Sequence, residues 1–274
     1  MIIKFLGTAA AEGIPALFCR CNTCLEARKT GGKELRTRSQ TIVDGKLMID
    51  FPAETYAHSL QHNIQLSQVK HYLITHSHDD HFYPQDIAML AKMFSGIPEN
   101  TEKFYFYGSD DVALLAKPFI EKTFGTADFI TLEPFKTYTI ASYSVTPLKA
   151  THNTKTPFIY IISDGTKQML YAHDTGLFCK ETEDYLYNEK PYFDLISFDC
   201  CCGTWPDVNH GTHLSLGNIK TICEKMQKYG IIDKYTKLCC NHFSHNASNV
   251  LYNNHKIYED EGFIMAYDGL EIEF

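Results

Sequence analysis

The chain has 274 residues, 44% of them hydrophobic and 21% charged, enough for one large globular domain or two small ones. A formal net charge of −8 argues against broad, unassisted binding to nucleic acid or an anionic membrane. It leaves an anionic substrate open, because divalent cations would dominate the field locally. The opening run Met1-Ile2-Ile3-Lys4-Phe5-Leu6 is too brief for a signal-peptide core, and no stretch approaches the roughly 20 apolar residues of a membrane span. The expected location is cytoplasmic, with the ten cysteines reduced.

No repeat, low-complexity tract or linker divides the sequence, so residues 1–274 read as one domain. In chain order, a strand is expected over 2–6. A loop at 19–24 carries Cys19, Cys21 and Cys24 as Cys-x-Cys-x-x-Cys, three thiolates at zinc-knuckle spacing that lack a fourth ligand. A basic stretch, 28–39, holds Arg36 and Arg38; it reads as a solvated loop, or alternatively as a patch that steers a phosphate to one of these arginines. Strands follow over 41–43 and 47–50, then a helix over 53–62 and a strand over 71–75.

Directly behind that strand comes Thr75-His76-Ser77-His78-Asp79-Asp80-His81. Alternate residues of an extended chain share a face, so His76 and His78 can reach one ion, while Asp80 and His81 can turn toward a second beside it. Imidazole with carboxylate suits zinc, manganese or iron better than calcium or magnesium. A helix opened by Pro84 is expected over 84–92, a strand over 104–107 and a helix over 112–119.

In the second half, strands are expected over 143–148, 158–163, 168–172 and 195–200, with an Asp164-Gly165 hairpin turn. The run Cys200-Cys201-Cys202 and the pair Cys239-Cys240 read as small buried strand residues. A helix over 216–229 has Ser215 as N-cap and Gly230 as terminator. A strand over 237–240, a helix over 247–258 and strands over 263–266 and 270–273 close the chain. Two runs of strands, each followed by helices, give an α+β fold of two packed sheets between outer helices, a four-layer αββα sandwich. His152, Asp174 and His242 each sit just past an apolar strand. One histidine in such a place is more often structural; three such ligand-type residues beside the histidine motif point to a metal site. Asp50, also at a strand end, is a candidate to orient a ligand imidazole. His58, His62, His71, His173, His210 and His255 read as structural or surface residues.

These residues resemble the metallo-β-lactamase superfamily nearly end to end: Phe5-Leu6-Gly7-Thr8, Leu47-Met48-Ile49-Asp50, the histidine motif, Tyr171-Ala172-His173-Asp174-Thr175-Gly176, Asn241-His242-Phe243-Ser244-His245 and Ala266-Tyr267-Asp268-Gly269-Leu270. The resemblance implies the αββα sandwich and two divalent ions, zinc or manganese with iron as a further candidate. One would be held by His76, His78 and His152, the other by Asp80, His81 and His242, with Asp174 bridging. The PhnP-type phosphodiesterase branch resembles the chain in its N-terminal cysteines, which implies a structural zinc on Cys19, Cys21, Cys24 and His245.

The implied activity is hydrolysis of small phosphodiesters, cyclic ones included, through a metal-bound hydroxide. His213 stands where that branch and the tRNA-processing branch place a catalytic histidine and is the expected general acid; Asp80 can assist proton transfer. A lactone or thioester hydrolase and a tRNA 3′-processing-type endonuclease remain alternatives, since one fold hosts many chemistries. No Gly/Pro-rich basic arm for tRNA is evident, so the expected partner is a small-molecule phosphodiester, with nucleic acid limited to small nucleotides, no membrane, and a homodimer left open.

Overall fold

The computed structural model describes residues 1–98, 101–206 and 211–274. Among the described residues, fourteen strands form two seven-stranded sheets. The first contains β1 (Ile2–Gly7), β2 (Gln40–Val43), β3 (Leu47–Ile49), β4 (His71–Leu73), β5 (Phe104–Gly108), β6 (Ala127–Thr131) and β14 (Glu271–Glu273), in the order β14-β1-β2-β3-β4-β5-β6. The second contains β7 (Tyr138–Ile140), β8 (Tyr143–Lys149), β9 (Phe158–Ser163), β10 (Gln168–Ala172), β11 (Leu195–Asp199), β12 (Lys237–Asn241) and β13 (Ile264–Met265), in the order β13-β12-β11-β10-β9-β8-β7. Each sheet is part parallel and part antiparallel: β3 to β6 run parallel, as do β10 to β13, whereas β1, β2 and β14 and the β7-to-β10 meander pair antiparallel. Helices α1 (Asn22–Thr30), α2 (Thr55–Gln61), α3 (Asp110–Ile120), α4 (Lys180–Glu189), α5 (Leu216–Lys228) and α6 (His255–Glu259) complete the α+β sandwich.

Alternation along the strands explains the layers. Phe5, Leu47, Leu73 and Tyr107 of the first sheet meet Tyr160, Tyr171, Leu195 and Cys239 of the second in one buried layer. Their neighbours Tyr72 and Phe106 face the opposite way, into a second cluster beneath α3. Leu216, Ile219, Cys223 and Met226 form the buried stripe of α5, which packs on the outer face of the second sheet. The expected Ser215 cap is present as a capping box with Asn218, and Gly230 follows with φ 73°. No helix among the described residues is long and apolar enough to cross a membrane.

Several elements depart from the sequence reading. Residues 84–90 form 3₁₀ turns rather than an α-helix. Instead of a helix over 247–258, a 3₁₀ turn at Tyr252–Asn254 leads into the short α6; Asn249 takes φ 57°, the left-handed backbone that asparagine tolerates and a helix does not. β6 and β7, each at one edge of its sheet, were not expected from the sequence; β6 is exposed toward its end. Helices α1 and α4 were likewise missed.

Candidate metal centre

Strand direction brings the site together. β3 and β4 run parallel, so Asp50 and the histidine motif leave the first sheet at the same edge. In the second sheet β8 is antiparallel to β9, which is antiparallel to β10, while β11 and β12 run parallel to β10. The ends of β8, β10, β11 and β12 therefore open at one edge, where His152, Asp174, Asp199 and His242 sit. The sheets are joined there by Phe158 N–H donating to Thr75 O at 2.8 Å and Tyr160 O–H donating to Ile74 O at 2.6 Å. Asp50, Asp174 and His242 hold φ of 66°, 51° and 61°, a left-handed backbone that is rare for non-glycine residues and gathers at functional sites.

Two clusters share Asp174. Around the first, His78 Nδ1 lies 3.0 Å from His76 Nε2 and 3.2 Å from His152 Nε2, and all three ligand atoms lie within 4.8 Å of one another. Around the second, His81 Nε2 is 3.4 Å from Asp80 Oδ2 and 3.3 Å from His242 Nε2. Asp174 Oδ2 approaches His81 Nε2 at 2.8 Å and His242 Nε2 at 2.9 Å, and its Oδ1 lies 3.5 Å from His152 Nε2. One carboxylate thus presents an oxygen to each cluster.

The surroundings fit a cation at each cluster. His81 Nδ1–H donates to Asp50 Oδ2 at 2.7 Å, the His76 Nδ1 faces Thr75 Oγ1 at 3.0 Å, and that of His152 faces Thr212 O at 3.3 Å. Each contact occupies the far ring nitrogen and turns Nε2 inward. Asp50 is itself fixed, since Oδ1 accepts from Thr75 N–H and Oγ1–H, both at 2.8 Å. Burial and the nearby His81 push His76 well below its ordinary pKa, and burial lowers His152, keeping both in the neutral form that ligates. At His81 burial opposes protonation, yet Asp174, Asp50 and Asp80 raise its proton affinity well above normal: the pocket attracts positive charge. Asp174 Oδ2 is buried and accepts no well-oriented hydrogen bond from the two nitrogens beside it, as expected of an oxygen built for a cation.

His213 closes one side of this centre. Its ring packs against His152 at 5.1 Å and stacks on His242 at 5.6 Å, and 26% of its side chain is exposed. Nδ1–H donates to Asp199 Oδ2 at 2.7 Å. Burial works against protonation, but Asp199 outweighs it and raises the pKa to about 9. The buried Asp199 also accepts from Cys201 N–H at 2.9 Å and lies 3.7 Å from His242 Nδ1. Sequence reading missed Asp199, although it ends β11 as Asp174 follows β10. It also placed Cys201 and Cys202 inside a strand; both lie in the turn beyond β11 and are half-buried, with the Cys201 thiol grouped with His213 and His242.

At the knuckle, Cys19 Sγ and Cys21 Sγ each lie 3.5 Å from His245 Nδ1, and with Cys24 the four ligand atoms fall within 4.8 Å. Cys24 belongs to α1 rather than to a loop. Burial, then the neighbouring Cys21 and Cys19, push its thiol up to about 12; at Cys21 burial is outweighed by the His245 contact and others, and the pKa falls to about 6. Crowded sulfurs beside an imidazole are the donor set a zinc ion would stabilise.

The family described as the beta-lactamase superfamily domain matches residues 48–232, more than half of the chain and the span that carries the histidine motif, His152, Asp174 and His213. The chain belongs to the β-lactamase superfamily. Its fold is shared with solved structures: a diphosphatase of the PhnP family (17% identity, TM-score 0.73, 100% of this chain and 96% of that one) and Zn(2+)-bound PqqB from Methylobacterium extorquens (17%, 0.73, 100% and 100%). Human tRNase Z, short form, aligns at 14% identity and a TM-score of 0.65, over 100% of this chain and 99% of that one. No curated protein matches the sequence. The chain is thus a metallo-β-lactamase-fold member of a superfamily of metal-dependent hydrolases, with histidine and aspartate clusters able to hold metal.

Other predicted residues fall outside the centre of this β-lactamase-superfamily chain. Arg36 is 2% exposed; it donates to Thr8 Oγ1 at 2.8 Å and to the Ala266 carbonyl and stacks on Phe243 at 4.5 Å, so it ties loops together and cannot steer a phosphate from solvent. Arg38 donates to Ala11 O at 2.7 Å and to Glu54 at 2.9 Å. His173 is buried between Ser39 and Ser197 hydroxyls, and His58 between Thr37 and Gln40. His62 faces Leu6 O, His71 the Tyr107 hydroxyl and His255 the Tyr252 carbonyl. His210 lies outside the described residues.

Proposed function

We propose that residues 1–274 act as one hydrolase domain, a dinuclear phosphodiesterase for small phosphodiesters. In this reading His76, His78 and His152 hold one divalent ion, Asp80, His81 and His242 hold the other, and Asp174 serves both. Bound divalent ions would supply Lewis acidity for water and for the phosphoryl oxygens. The protein supplies the alignment: Asp50 and Thr75 fix the rings of His81 and His76, and burial excludes competing solvent ligands.

The observation that carries the phosphodiester assignment is His213, fastened by Asp199 at 2.7 Å and packed against rings of both clusters with its outer edge exposed. When water displaces one ester group of a phosphodiester, the P–O bond to that group breaks and an alkoxide departs, a poor leaving group that needs a proton, which a positioned imidazole provides. With Asp199 holding Nδ1–H, the proton is delivered from Nε2. The PhnP-family name of a structural neighbour supports the same class. The knuckle is read as a structural zinc site, because Cys19, Cys21, Cys24 and His245 leave no open position for substrate.

The test is a panel with metal-reconstituted protein: bis-p-nitrophenyl phosphate, p-nitrophenyl phosphate, a lactone and a thioester. Turnover of the diester above the other three is expected. Turnover of the lactone or thioester alone would remove the phosphodiesterase reading and leave the fold untouched.

A further inference from the structure

A cavity of about 990 Å³ opens on the outer face of the first sheet, away from the metal centre. Its floor is aromatic but nearly sealed, with Phe51, Tyr72, Phe104 and Phe106 buried, so the apolar surface open to a ligand belongs to Tyr56, Leu66, Met89, Leu90 and Ile97 around them. Tyr72 and Phe106 stack at 4.7 Å, and Phe51 stands edge-on to both, at 5.5 and 5.6 Å. The volume is that of a small-molecule site.

Lys70, just ahead of β4, also lines the cavity. Its stem is half-exposed, but the ammonium nitrogen is buried and, among the described residues, meets no hydrogen-bond acceptor. It rests 3.6 Å above the Phe104 ring, a cation–π contact that offsets only part of what is lost on leaving water. Burial lowers the lysine's proton affinity, with Glu102 acting against that. Asp86 lines the cavity too, its carboxyl raised by burial, but no ion pair joins it to Lys70 among the described residues. An ammonium with no hydrogen-bonded or ion-paired acceptor among the described residues, with only the more distant Glu102 opposite it, beside apolar walls is complementary to one kind of molecule.

We propose that this cavity binds a small amphiphile, an anionic head on an apolar chain, with the head paired to Lys70 and the chain laid against the apolar walls of Tyr56, Leu66, Met89 and Leu90. The site is separate from the metal centre and does not depend on the phosphodiesterase reading.

Titration calorimetry on the metal-loaded protein with decanoate below its micelle concentration tests this, with decanol as the uncharged control and decyl phosphate to separate carboxylate from phosphate heads. Saturable decanoate binding is expected, at least tenfold tighter than decanol. Lys70→Met should weaken decanoate at least tenfold and bring it level with decanol, and Lys70→Arg should retain it. Diester turnover and melting temperature of Lys70→Met should stay at the wild-type level, which separates this site from a carboxylate caught by the active-site metals. A stronger response to decyl phosphate than to decanoate assigns the head as phosphate within the same proposal. Absence of saturable binding by both anions, decanol binding equal to theirs, or unchanged affinity in Lys70→Met would overturn it.

Discussion

The strand-edge centre and the cysteine knuckle draw on the same short segment, His242 to His245, yet they are built differently. His76, His81, Asp174 and His242 are buried and hang from strand ends that the whole sandwich fixes. Cys21 is exposed and Cys19 half-buried, on the approach to α1, and both lie against His245. The first site is preorganised by the fold; the second would organise the loop that carries it. Glu12 extends the link, accepting from Ser244 O–H and lying 3.7 Å from His245 Nε2.

Asp174→Ala would break the first site most completely. It removes the carboxylate facing both clusters, so turnover is expected to fall below detection and bound metal to drop, measured by elemental analysis. Full metal content with retained turnover would show that Asp174 bridges nothing. His213→Ala should lower diester turnover by about 10²–10⁴, the usual weight of a positioned acid, while metal content stays at the wild-type level. The loss should shrink for a diester with a good leaving group; an equal loss on both substrates would assign His213 a structural role. Cys21→Ser sharpens the contrast from the other side. One zinc per chain should be lost and the melting temperature should fall by roughly 3–5 °C, the shift that about 2–3 kcal/mol gives in a chain of this size, with turnover per active-site metal pair within about twofold of wild type. A much larger loss of turnover would mean that the knuckle shapes the active site.

Legibility followed locality. His76, His78, Asp80 and His81 lie close together in the chain, so the alternation of an extended backbone was enough to pair the first two and a turn beyond them to bring in the others. The Ser215 N-cap of α5 was readable for the same reason. The helix expected over 247–258 failed because apolar spacing there competes with asparagines that favour turn geometry. Asp199 was passed over because a lone carboxylate at a strand end says nothing of its partner; only packing puts it beside His213, which it holds.

The amino-acid order alone determined which groups could bind metal, that they follow apolar strands, and the alternating strands and helices of a two-sheet sandwich. Tertiary structure decided which of those groups meet: that Asp174 faces both clusters, that Asp50 and Asp199 each hold an imidazole, and that Arg36 is sealed inside. Side-chain chemistry and short periodicities are properties of neighbours in the chain. Convergence of residues more than a hundred positions apart depends instead on strand direction, register and the burial of a shared core, which no local stretch encodes.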